Sequence, residues 1–65
     1  GVTMTEYLTQ RRIELAKVYL STTKMNIAQI AEEIGYPYPY RFNQVFKQYT
    51  NDTPKEYRKK HSKPS

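Results

Sequence analysis

Apolar residues recur at helical spacing in three stretches of the chain. In the middle one, Ile27, Ile30, Ala31 and Ile34 stand three and four apart, a single stripe on a helix. Asn26 and Gln29 have the spacing of a capping box, and Gly35 supplies the left-handed residue that ends a helix. The pattern predicts a helix over residues 27–34. Phe42, Val45, Phe46 and Tyr49 repeat the stripe, and Pro39, tolerated only in a first turn, places that helix at 39–49. Upstream, Leu8, Leu15, Ala16, Tyr19 and Leu20 define one face of a helix over 4–20, opened by Thr3 and Glu6 as a second capping box. Arg12 interrupts that face and must snorkel outward or pair with a carboxylate. Ile13 falls off the stripe and is expected to stay exposed in an isolated fragment. Thr53, Pro54 and Glu56 open a fourth helix over 54–59, with Tyr57 packing back on the core. Residues 1–3 and the basic segment 60–65 are expected to be disordered.

The small residues Ala31 and Gly35 let two helices cross closely over a short turn, the arrangement of a helix-turn-helix. The fold class is all-α: a small helical domain with a connecting helix, a helix-turn-helix and a short C-terminal helix. At 65 residues there is room for one domain. Such a chain buries only about 60% of its unfolded surface, so its core must be well used. Glycine at position 1 suggests a piece excised from a longer protein.

Cysteine is absent and His61 is the sole histidine, so no metal or other cofactor is expected. There is no nucleophile–base pair and no glycine-rich phosphate loop, which argues against an enzyme. No run of about 18 apolar residues suggests a membrane partner. Charge changes the picture more. Residues 1–35 carry four basic and four acidic side chains, and residues 36–65 seven basic and two acidic, so the net +5 falls entirely after the turn. A basic excess gathered in one region points to a polyanion.

Tyr7-Leu8 with Arg12, Ala16 and Leu20, the run from Ile27 to Tyr36, then Phe42, Val45, Phe46, Lys47 and Thr53-Pro54-Lys55-Glu56-Tyr57-Arg58 occur in one order. As a set they resemble the DNA-binding region of the AraC/XylS family of bacterial transcription activators. In that family a long helix joins two helix-turn-helix units, and the residues here resemble the connecting helix and the second unit. The resemblance implies a cytoplasmic regulator whose partner is double-stranded DNA, with RNA polymerase a further candidate partner, and a monomer for this fragment alone. The sequence departs from family habit at Pro37 to Tyr40, Arg41, Gln44 and Asn51, so no particular target sequence is implied.

The family resemblance puts residues 39–49 in the major groove, where the first half of a recognition helix reaches base edges. Pro39 offers only apolar contact. Tyr40 can meet a thymine methyl, Arg41 guanine O6 and N7, and Gln44 adenine N6 and N7, with Asn43 a further polar candidate. A phosphate-only or solvated role stays open for Arg41 and Gln44. Lys47 suits phosphate, as do the helix N-termini at Asn26 and Ile27 and at Thr53 and Lys55. Arg58, Lys59 and Lys60 add long-range attraction. A second class of function is a protein-interaction module anchored by an exposed cluster of Tyr36, Tyr38 and Tyr40.

Overall fold

Local capping chemistry sets where each helix begins. In the computed structural model, which describes residues 3–61, the helices are α1 (Met4–Thr22), α2 (Ile27–Ile34), α3 (Pro39–Thr50) and α4 (Pro54–His61). Thr3 caps α1, its Oγ1 accepting from the Glu6 amide at 3.1 Å, so the cap begins one residue inside the segment expected to be disordered. Residues 1, 2 and 62–65 of the expected disordered ends lie outside the described residues.

Helix α1 runs past the expected end at Leu20. The hydroxyls of Ser21, Thr22 and Thr23 donate to the carbonyls of Lys17, Val18 and Tyr19 at 2.8, 2.6 and 2.6 Å. These back-bonds to the preceding turn let three residues with little helix propensity close it. Arg58 of α4 completes the end, its Nε donating to Leu20 O at 3.1 Å and its Nη2 to Thr23 O at 3.2 Å. Helix C-terminal carbonyls have no partner within the helix, and here an arginine far along the chain supplies it. Arg58 is thus committed to the fold, where a charge for long-range attraction was expected.

Ile13, Ala16 and Leu20 of α1, Ile30, Ala31 and Ile34 of α2, Tyr36 of the turn, and Phe42, Val45 and Phe46 of α3 form the core. Tyr19, Met25, Ile27 and Tyr57 pack against its edge. The buried face of α1 is therefore the expected one at Ala16, Tyr19 and Leu20 but not elsewhere. Ile13 is buried, whereas Leu8 and Leu15 are 49% and 45% exposed. At about 100° per residue, Ile13, Ala16 and Leu20 share one side, while Leu15 points nearly opposite Ile13. Arg12 neither snorkels away nor meets a carboxylate: its guanidinium lies 5.3 Å from the centre of the Tyr36 ring, a cation–π contact.

Helix α2 ends at Gly35, whose φ is 101°. The Gly35 N–H donates to Glu32 O at 3.2 Å and the Tyr36 N–H to Ala31 O at 2.8 Å. This pair of bonds is the Schellman motif, in which the residue after the glycine packs back on the helix. Tyr36 occupies that place and is buried. A side chain at Gly35 would also meet the Arg12 guanidinium at 3.3 to 3.4 Å. Helix α3 then ends one residue beyond expectation, at Thr50, with Asn51 left-handed at φ 65° and its N–H donating to Lys47 O at 2.8 Å. Tyr49 was expected in the core but is exposed, because the core ends at Phe46 and the last turn of α3 overhangs it. Tyr36, Phe42, Phe46 and Tyr57 touch in sequence, with ring centres 6.1, 5.6 and 5.4 Å apart.

Helix α4 extends to His61, so Lys60 and His61 are helical where a disordered tail was expected. Lys60 Nζ lies 2.9 Å from Asp52 Oδ1, and the His61 ring stacks on Tyr57 at 4.1 Å. Both contacts favour the extra turn. At its start, the Thr53 N–H donates to Glu56 Oε1 at 2.9 Å and the Glu56 N–H to Thr53 Oγ1 at 3.2 Å. The bond from the Thr53 backbone, then that from its hydroxyl, holds the Glu56 carboxyl below its ordinary value of 4.5. A depressed folded pKa stabilises the fold above the unfolded pKa, and the gain is lost as pH falls through the folded value. On acidification, the Glu56 side-chain carbon and the Thr53 amide should titrate together in NMR, with a midpoint below 4.5. A midpoint at or above the ordinary value would contradict the box.

Candidate nucleic-acid interface

With Phe42, Val45 and Phe46 turned inward, α3 is left with an outer face of polar and aromatic side chains. Tyr40, Gln44 and Lys47, at i, i+4 and i+7, follow one line along it, and all three are exposed. Arg41, Gln44, Lys47, Gln48 and Asn51 line one shallow trough. Among the described residues, Arg41 makes no hydrogen bond or ion pair with a side chain, and neither does Lys47. Unpaired donors on a rigid helix are available to an incoming acceptor. Gln44 Nε2 donates to the Tyr40 hydroxyl at 3.4 Å.

The structure therefore brings Tyr40, Arg41, Gln44 and Lys47 together. Asn43 is half-buried and does not line the trough, because its place on the helix leans toward the core. Pro39 at the first helical position fixes the start of the face, with Tyr38 as an N-cap that makes no side-chain cap bond.

The two helix N-termini are less open than their sequence suggests. Asn26 has both arms of its capping box filled: the Gln29 N–H donates to Asn26 Oδ1 at 2.7 Å, and the Asn26 N–H donates to Gln29 Oε1 at 3.0 Å. The donors left at that end are the Ile27 and Ala28 amides and the Asn26 side-chain nitrogen. At α4, Glu56 Oε1 accepts from both the Thr53 N–H, at 2.9 Å, and the Thr53 hydroxyl, at 3.1 Å. The same end carries the Glu56 carboxylate, which repels phosphate, and Pro54 has no N–H. Lys55 is exposed beside it.

The sequence marks Asn51 only as the left-handed end of α3 and gives neither it nor Gln48 a binding role, yet both complete the trough. Gln48 stands four residues from Gln44, and that spacing was the available signal. The tyrosine cluster does not form as expected. Tyr36 is 8% exposed under Arg12 and against Phe42, while Tyr38 and Tyr40 are 68% and 71% exposed.

A profile of the helix-turn-helix domain family matches residues 1–60. The HTH-type transcriptional regulator AlkR of Acinetobacter baylyi is 44% identical over 52 residues, which cover 80% of this chain and 17% of that protein. The regulatory protein SoxS of Salmonella typhimurium is 43% identical over 56 residues, 86% of this chain and 52% of SoxS. The chain thus spans about half of one relative and a smaller part of the other. Among solved structures, the C-terminal domain of AraT, a response regulator from Geobacillus stearothermophilus, superimposes with a TM-score of 0.96 at 31% identity, covering all of this chain and 54% of that one. The four helices, the Gly35 turn and these likenesses agree that the chain belongs to the AraC/XylS family, as one of its helix-turn-helix units.

Proposed function

We propose that residues 4–61 form a DNA-binding unit of a transcription regulator, with α3 seated in the major groove of double-stranded DNA. The observation that carries this is the row of exposed side chains on α3, with Arg41 and Lys47 unpaired and Gln44 between them, held rigid by a core on the opposite face. Arg41, Gln44 and Tyr40 reach base edges and Lys47 meets phosphate, while half-buried Asn43 is left outside the contact set. The Ile27 amide and Asn26 side chain at the start of α2, and Lys55 at the start of α4, supply further phosphate contacts, with Thr53 serving mainly as the cap. RNA polymerase is the further partner this reading allows, and the chain alone acts as a monomer. Burial of Tyr36 supports DNA over the tyrosine-anchored module, which loses one of its three members.

One unit makes few phosphate contacts, so nonspecific affinity should fall near the ~10⁻⁴–10⁻⁶ M usual for such electrostatics. Lys47→Ala should weaken binding to all duplexes alike and lessen the log–log salt slope by about 0.9. Arg41→Ala should instead change base preference, by about 1–3 kcal/mol at one position. Fluorescence anisotropy against a panel of duplexes at several salt concentrations separates the two. Equal losses on every sequence for both variants would refute base reading by Arg41.

A further inference from the structure

Tyr40 has a partner on the recognition face before any DNA arrives. Its hydroxyl oxygen accepts from Gln44 Nε2 at 3.4 Å, one helical turn along. Tyr40 is the second residue of α3, directly after Pro39, whose ring fixes the local backbone. The phenol therefore stands on a rigid base, and a flexible glutamine is tied to it.

The chemistry of the amide makes this tie directional. A glutamine side chain has two N–H donors on one nitrogen and one carbonyl oxygen. Giving the phenol the N–H trans to Oε1 leaves the other N–H and Oε1 side by side. That donor–acceptor edge matches adenine, whose N7 accepts and whose N6 amino group donates in the major groove. Guanine offers two acceptors there and would leave Oε1 facing another acceptor.

We propose that Tyr40 is a positioning residue, holding the Gln44 amide in the orientation that reads adenine. Preference for adenine at one position of the target then depends on the Tyr40 hydroxyl. This rests on the reading of α3 as the major-groove helix.

The test is selection of bound duplexes from a library with a randomised window, using the 65-residue chain at low salt. Tyr40→Phe, Gln44→Ala and the double variant are run beside it, with circular dichroism as the check on folding. The unaltered chain should enrich adenine at one position, and Gln44→Ala should level that position. Tyr40→Phe keeps the ring and should lower the same enrichment by roughly 2- to 10-fold, the weight of one hydrogen bond, leaving other positions unchanged. The double variant should match Gln44→Ala. A packing role for Tyr40 would not move a single base position in this way. If Gln44→Ala levels the position and Tyr40→Phe does not, the positioning role is wrong while the groove reading stands. A uniform loss across the window in Tyr40→Phe also overturns it, marking a general contact. If the unaltered chain enriches no adenine, or Gln44→Ala changes nothing, base reading by Gln44 fails and the positioning role falls with it.

Discussion

Phe46→Ala is expected to leave the chain largely unfolded at room temperature. Phe46 is fully buried and lies between Phe42, 5.6 Å away centre to centre, and Tyr57, 5.4 Å away. Both ring pairs are edge-on, at 70° and 82°, an arrangement favoured by the ring quadrupoles. Truncating a buried phenylalanine costs about 3–5 kcal/mol, through lost transfer energy and the cavity left behind. In a chain below about 70–80 residues, a single hydrophobic core rarely supplies more than about 3–5 kcal/mol of stability. The loss therefore takes most or all of it. Far-ultraviolet circular dichroism should show a collapsed helical signal and no cooperative melt. A melt within a few degrees of the unaltered chain would mean that the core does not depend on this ring.

The second large effect falls on Arg58. Its Nε and Nη2 hold the carbonyls of Leu20 and Thr23 and so tie α4 to the end of α1. Hydrogen bonds from a charged donor are worth about 1.5–3 kcal/mol each, and losing them also strands the two carbonyls. Because the site is only half-buried, water can take up part of that loss, and Arg58→Ala should cost about 2–4 kcal/mol. Lys59→Ala, one residue on and exposed, should change stability by no more than about 0.5 kcal/mol. Chemical denaturation of the two variants decides the matter. Equal, small effects would return Arg58 to the role of a surface charge.

These two residues mark the boundary of what the chain's own pattern discloses. The start and end of α2 were legible because capping box, stripe and terminating glycine all lie within ten consecutive positions. The start of α3 was legible because proline has so few permitted places in a helix. Phe42, Val45 and Phe46 declared themselves core by their spacing. The inward side of α1 was only partly legible, because Ile13 and Leu15 are equally apolar and only packing in the assembled core decides between them. Tyr49 shows the same limit: its spacing fits the stripe, but the core stops one turn earlier. Arg58 lies 38 positions from Leu20, and no local rule connects them.

The site follows similar logic. Tyr40, Arg41, Gln44 and Lys47 were legible as the residues left over once the apolar face of α3 was assigned. Burial of Tyr36 was hidden, although it follows from the Schellman turn that Gly35 makes. The closed state of the Asn26 and Thr53 amides was within reach. A capping box consumes the N–H of the cap residue, so both boxes already implied that those amides were taken.

The measurement that bears most directly on the whole account follows backbone amide shifts while duplex DNA is added at low salt, then at higher salt. If α3 docks in the major groove, salt-sensitive shifts should gather on residues 40–48 and at the start of α2, around Ile27. Shifts confined to residues 59–65 would instead show a basic terminus adhering to a polyanion, and would contradict the recognition role of α3.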